Sequence, residues 1–441
     1  MTPSSLLLKL LAVWSGLALV LAALRIGEMP IEFLSSVWLY SGIALGLVAV
    51  VDALSFGPGK QLHITRTVPG SLALGVATKI KLYLVNHSHR TLQFTLAEAP
   101  NAKLTVDQLP TSLALKPSET CHVNYTLTPI GRGDVTLDQL YIRYRSRWSL
   151  WRFRVKAAEV ASAKIYPNFS PIAFIASLGL EQQIQQLGIH LAQRRGEGME
   201  FKQLREFVEG DALRQIDWKA MARYRKPISR EYQDERNQDI FFLLDCGRRL
   251  RHKDGDLSHF DHALNAILLT SYIAINQGDS AGLCSFAGAE RWLSPVNGVT
   301  GVNQILNLLY DLESTTQNSD FLQLAENFAS RHRRRSLVII VSNIREEDSD
   351  DLIRATRLLA KTHVVMVASL REQILDDSLK KPVNSFSDAL NYSASHDFMA
   401  SRRQLMRQLT SAGVVVVDAL PDQLHIKLVD EYLRLKRSHR L

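Results

Sequence analysis

Two long apolar runs near the amino terminus constrain this chain more than any other feature. SLLLKLLAVWSGLALVLAAL, from Ser5 to Leu24, and IEFLSSVWLYSGIALGLVAVVDAL, from Ile31 to Leu54, are each long enough to cross a bilayer. Charge is sparse and lies toward their ends, with Lys9 in the first and Glu32 and Asp52 in the second. Two such runs joined by a short turn predict a transmembrane helical hairpin. A cleaved signal peptide explains the first run less well, because its charged leading region is thin and the second run would still anchor the product. The connecting loop RIGEMPIE sets Arg25 against Glu28 and Glu32, whereas Lys9 flanks one outer side and Lys60 and Arg66 follow the other. Positive charge therefore favours a cytoplasmic position for both termini and for the soluble part.

The rest of the chain has enough apolar residue to build more than one core: 441 residues, 46% hydrophobic and 22% charged. That length suggests two or three domains. The formal net charge of +8 is not gathered in a basic tail. It supports attraction to anionic lipid at least as well as to nucleic acid, and no nucleic-acid partner is expected. Cys121, Cys246 and Cys284 are odd in number and widely spaced, which argues against a disulfide framework or a cysteine zinc site and fits a reducing compartment. The histidines show no HExxH or comparable spacing, and no phosphate-binding glycine loop is present.

Four segments follow from patterning: residues 1–56 as two transmembrane helices, 57–167 as a β-sandwich, 168–237 as a helical linker with a charged segment, and 238–441 as an α/β domain. In the second segment QLHITRTVP, TKIKLYLVNHS, QFTLAEAP, ETCHVNYTLTPI, DVTLDQLYIRYRS and SAKIYP alternate polar and apolar residues. Period two is the pattern of antiparallel strands covered on one face, and an immunoglobulin-like sandwich is the economical fold. Arg132-Gly133-Asp134 there is ordinary turn chemistry rather than an adhesion motif. The linker ASLGLEQQIQQLGIHLAQRR, from Ala176, has helical spacing and no evident chemistry. From Asp239 onward, wholly apolar strand runs such as IFFLLD, SLVIIV and VVMVASL alternate with helical segments. That predicts a doubly wound α/β sheet with helices on both faces and a site at the carboxyl ends of its strands.

About half the residues between Arg194 and Arg236 are charged, with both signs interleaved. Asp211, after Gly210, is placed to cap a helix in which Leu213, Ile216, Ala220, Met221 and Tyr224 share a face and Arg214 pairs with Asp217. A salt-bridged, solvated helix is the plain reading. Asp211, Asp217 and Lys219 also echo the two acids and lysine of some metal-dependent nucleases or hydrolases, although flanking arginines would neutralise the carboxylates.

Arg205-Glu206, Gly210-Asp211, Arg214, Ile216-Asp217-Trp218-Lys219, Ala222-Arg223 and Arg230-Glu231, followed by a strand ending in aspartate, resemble the signature of the bacterial family called domain of unknown function 58. The family's order of two membrane spans, a β-rich domain, this signature and a von Willebrand factor A-like sheet domain is similar to the order here. The resemblance implies an inner-membrane protein facing the cytoplasm, and no established reaction or cofactor. It also implies a partner: family members are commonly encoded beside MoxR-type AAA+ ATPases and transglutaminase-like membrane proteins. An interaction protein in envelope-protein assembly or stress response, not an enzyme, is the expectation. Arg205, Glu206, Gly210, Asp211, Arg214, Asp217, Trp218, Arg223, Arg230 and Glu231 would either clamp the linker to the sheet domain or meet a partner.

A von Willebrand factor A fold implies a divalent cation held by an Asp-x-Ser-x-Ser loop, a threonine and a second aspartate. Here Asp245 is followed by Gly247 and Arg249 where the serines belong, and Asn343 stands where the second acid is usual. Thr300 is the candidate threonine. A degenerate site that binds no metal is expected, with Asp245 paired to Arg248 or Arg249. A cation-dependent ligand-binding domain is the alternative. Cys246, beside an acid and with no local histidine, is expected to be a buried small residue rather than a nucleophile.

Overall fold

The computed structural model describes residues 1–26, 32–54, 62–89, 91–99, 101–138, 140–156, 160–170, 200–208, 216–233, 237–255 and 257–438. They form two compact units, Met1–Ile165 and Tyr166–Leu441. The expected linker helix from Ala176 lies outside the described residues.

In the first unit the two apolar runs are helices, α1 (Ser5–Ile26) and α2 (Glu32–Leu54), each long and apolar enough to span a membrane. Trp14 and Trp38 stack at 4.2 Å between ring centres, and each indole nitrogen donates to the other residue's carbonyl, at 3.1 and 3.0 Å. Gly42 leaves the room that the Trp14 ring occupies. The end of α2 is tied to the β-rich part of the same unit. Asp52, fully buried, accepts hydrogen bonds from Ser146 Oγ and from the amides of Trp148 and Leu150, and Trp151 Nε1 donates to Ala49 at 2.8 Å.

The β-rich part is antiparallel throughout its described pairings. One sheet runs Thr2–Pro3, Trp151–Lys156, Leu140–Arg145, Leu92–Glu98, Thr111–Leu115; a second runs Leu62–Thr67, Thr78–Asn86, Thr120–Pro129, Leu104–Asp107; and a third joins Ser71–Ala73, Ala161–Tyr166 and Gly133–Leu137. Alternation does what it predicts: Ile80, Leu82 and Leu84 are buried while Lys79, Lys81 and Tyr83 are exposed. The single run DVTLDQLYIRYRS divides between two sheets, and the strands at 104–107, 111–115 and 151–156 extend beyond those expected from sequence.

In the second unit, β1 (Glu200–Glu206) and β2 (Ile228–Gln233) form an antiparallel ribbon that flanks the short helix α3 (Trp218–Tyr224). A six-stranded sheet follows: β3 (Asp239–Asp245), β4 (Ser280–Phe286), β5 (Trp292–Val296), β6 (Leu337–Ser342), β7 (Val364–Leu370) and β8 (Val415–Ala419). Their spatial order is β5-β4-β3-β6-β7-β8, parallel except for the edge strand β5. The helices are α4 (His259–Asn276), α5 (Gly298–Leu309), α6 (Phe321–Arg331), α7 (Ser349–Leu359), α8 (Gln373–Lys380), α9 (Phe386–Ser411) and α10 (Pro421–Arg437).

Every residue of β3 is buried. Ile240, Phe242 and Leu244 join a core that includes Leu264 and Ile267 of α4 and Leu428 and Tyr432 of α10. Phe241 and Leu243 join the core on the other face, with Phe328 of α6, Leu352 of α7 and Leu405 of α9. Burial on both faces is why these strands carry no polar alternation. Local signals start the helices: Ser258 and Asp261 make a reciprocal capping box on α4, and Pro421 opens α10.

Candidate functional site

Strands β4 and β6 flank β3 on opposite sides, so chain direction diverges at the carboxyl end of β3, the position at which parallel sheets open a crevice. Asp245 sits there, fully buried. Its Oδ1 accepts from Gly247 N and Ser319 Oγ, both at 2.7 Å, and its Oδ2 accepts from Ser342 Oγ at 2.5 Å. Burial raises its pKa above the usual carboxylate value, against the opposing pull of these donors and of Arg249.

The expected pairing of Asp245 with an arginine is therefore corrected. Arg249 instead engages Glu347 at 3.1 Å and Asp348. The hydroxyls sought at positions 247 and 249 are present, but they come from other elements: Ser342 ends β6 and Ser319 precedes α6. Gly247 is a packing requirement. A Cβ there would lie 2.7 Å from Ser319 Oγ and 2.9 Å from Gln317 O. Thr300, the expected loop threonine, is exposed in the first turn of α5. Thr315 is the threonine against this loop, and its Oγ1 donates to Ala287 O at 2.6 Å. Cys246 is buried.

Asn343 does not face Asp245. Its Nδ2 donates to Glu372 Oε1 at 2.7 Å. Burial alone would raise the Glu372 pKa, yet the bond from Asn343 and the charges of Arg345 and Arg402 hold it below the usual value. Arg402 of α9, 2% exposed, lies beneath and donates to Ile344 O (2.6 Å), Ser369 Oγ (2.7 Å), Leu370 O (2.8 Å) and Asp418 Oδ1 (2.7 Å). A hard divalent cation needs several anionic or carbonyl oxygens free to converge. The donor set does not fit one, because the carboxylate of Asp245 is already bonded on both oxygens and Asn343 is turned to Glu372.

The charged segment is built differently. Ile216 bridges Ser229 as an added strand pairing, and the helix that follows starts at Trp218. Asp217 is its cap: Oδ1 accepts from Lys219 N and Ala220 N, both at 3.0 Å, and Oδ2 accepts from Arg230 Nε at 2.9 Å. The Ala220 amide, followed by Arg230, lowers the Asp217 pKa. Both oxygens are thus committed, which leaves little of the acid, acid, lysine arrangement with Lys219. Glu206 bonds Lys226 at 2.9 Å, and Arg205 Nη1 donates to Glu206 O at 3.2 Å. The Arg223 guanidinium lies 5.8 Å from the Tyr224 ring centre. Trp218 is 67% exposed. Glu231 lies on β2 opposite Gln203. Gly210, Asp211 and Arg214 lie outside the described residues.

Residues 203–411 match the family described as "Protein of unknown function DUF58". This segment belongs to the DUF58 family. It runs from within the ribbon through the end of α9, so most of the ribbon, the Asp245 loop and Arg402 fall within the DUF58 match. No curated protein matches the chain. Solved structures similar to parts of it include the FixG-related protein from Vibrio parahaemolyticus, at 9% identity over 24% of this chain and 97% of that one, with a TM-score of 0.18. Proximal thread matrix protein 1 from the mussel byssus matches at 12% identity over 44% of this chain and 46% of that one, with a TM-score of 0.26. A CARDB domain from Pyrococcus furiosus matches at 10% identity over 24% and 86%, with a TM-score of 0.16. TM-scores this low do not define a shared fold.

Within the DUF58 segment, Ser319, Glu372 and Arg402 are the residues that sequence reasoning misses. Ser342, at the carboxyl end of an apolar strand, falls among the positions where the sequence places the site. Nothing local marks Arg402, one arginine of the pair in ASRRQ on a helix that also carries Leu405 and Leu409.

Proposed function

We propose that this chain is a membrane-anchored interaction protein whose ribbon and helix α3 dock a MoxR-type AAA+ ATPase at the cytoplasmic face of a bacterial inner membrane, in envelope-protein assembly or stress response. On this reading the first unit is an anchor plus an immunoglobulin-like sandwich, and the sheet is a von Willebrand factor A-like domain that works without a cation at Asp245. The supporting observation is the placement of Trp218. A large aromatic side chain, 67% exposed, opens α3 beside the local ion pairs Asp217–Arg230 and Glu206–Lys226. Exposed aromatic anchors ringed by charge are where binding energy concentrates at protein interfaces. Those ion pairs join the ribbon to its own helix and connecting loop, which favours a partner surface over an interdomain clamp.

The test uses the full-length protein in detergent and a purified MoxR-type ATPase from the same genome. Trp218→Ala is expected to reduce ATPase capture at least tenfold with an unchanged melting temperature. Undiminished capture by the variant, or no capture by the parent protein, rejects this docking site.

A further inference from the structure

Outside the Asp245 crevice, three side chains with metal-ligating atoms converge at the start of α4. His252 and Asp254 lie in the loop and hairpin that follow the Asp245 turn, and His259 is the first residue of α4. One ligand atom from each falls within 4.8 Å of the others. His259 Nε2 is 2.8 Å from Asp254 Oδ2, and His252 Nε2 is 3.4 Å from Asp254 Oδ1. We propose that His252, Asp254 and His259 form a binding site for a zinc-class divalent cation, with two imidazole nitrogens and one carboxylate as protein ligands and a fourth position open.

Ligand type and spacing both support this. Two imidazoles and a carboxylate are a donor set that zinc takes, in contrast to the all-oxygen sets of magnesium and calcium. Tetrahedral ligands about 2.1 Å from zinc lie about 3.4 Å apart, the separation that His252 and Asp254 already have. The shorter His259–Asp254 contact is a hydrogen bond whose proton an ion would replace. His252 completes the site by a small movement, for which its side chain, 43% exposed, has room.

The surroundings supply a second, independent sign. Ligating histidines usually donate their other ring nitrogen to a carboxylate. His259 is fully buried and its Nδ1 has no hydrogen-bond partner among the described residues. Glu372 is also buried, its Oε2 is equally unpartnered, and its charge bears on His259. Gln373 N donates to Asp254 Oδ2 at 3.0 Å, which brings the residue after Glu372 to the cluster. With a cation on Nε2, the ring proton moves to Nδ1, and the nearby Glu372 charge favours a cationic or proton-donating imidazole there.

The experiment titrates Zn²⁺ into the chelator-treated, full-length protein in detergent, read by calorimetry, with Co²⁺ as a visible-absorption probe. Saturable one-to-one binding with tetrahedral cobalt bands is expected. His252→Ala should weaken zinc at least tenfold while leaving the metal-free melting temperature in place. Absence of saturable binding, or binding unchanged in His252→Ala, overturns the site. Should that variant itself be destabilised, the unsubstituted protein decides: zinc must protect His252 from diethyl pyrocarbonate, and unprotected modification of His252 at saturating zinc rejects the proposal.

Discussion

Ser342 and Asp245 end adjacent parallel strands, and the serine hydroxyl donates to the buried carboxylate at 2.5 Å. This bond stands where the loop sequence predicted an arginine partner. It makes the crevice a hydroxyl-stabilised buried acid.

Loss of that bond has a sign and a pH dependence. Ser342→Ala should cost about 1–3 kcal/mol, the range for leaving a buried acceptor short of a donor. Because burial raises the folded-state pKa of Asp245 above its unfolded value near 3.8, the folded protein binds the extra proton. Stability from this group is fully present below the unfolded pKa and is lost as pH rises through the folded pKa. Asp245→Asn removes that dependence, so its stability relative to the parent should improve as pH rises from about 4. Urea unfolding of both proteins across pH measures the difference, and parallel pH profiles would contradict the assignment.

Restoring the serine of a cation-binding loop should fail at Gly247. A side chain there meets Ser319 Oγ and Gln317 O inside ordinary contact distance. Gly247→Ser is expected to destabilise by about 1–3 kcal/mol through overpacking. Mg²⁺ should give no saturable rise in melting temperature in either protein. A saturable rise confined to the variant would show that the pocket had been restored.

Arg402 organises the neighbouring strand ends. Replacing it with Met leaves Asp418 and the carbonyls of Ile344 and Leu370 without a buried donor, at an expected cost of about 3–5 kcal/mol. Arg402→Lys should recover little, because one ammonium cannot reproduce a fork that reaches acceptors in several directions. Denaturant midpoints for the two variants test this, and a near-neutral lysine variant would count against the fork geometry.

Legibility from sequence varied with the range of the interaction involved. The strands from Asp239 to Ala419 were readable because burial on both faces demands uninterrupted apolar residues, a local property of each run. Propensity could not reveal that Ile216 pairs with Ser229, which sets the cap of the helix Trp218–Tyr224 at Asp217. HKDGDLSH, which carries His252, Asp254 and His259, matches no familiar metal spacing. A hairpin between the histidines brings their rings to 5.1 Å, and spacing along the chain does not encode that turn.

By itself the sequence determined the two apolar helices, the antiparallel and parallel strand sets, and the acid at the end of β3, since period and apolar run length act over a few residues. Tertiary structure decided which partners Asp245 has. Its hydroxyls arrive from Ser319 and Ser342, 74 and 97 residues away. The sheet's crossover order brings the ends of β3 and β6 together with the segment before α6, and a hydrogen bond depends on proximity in space, which neighbouring residues in the chain do not specify.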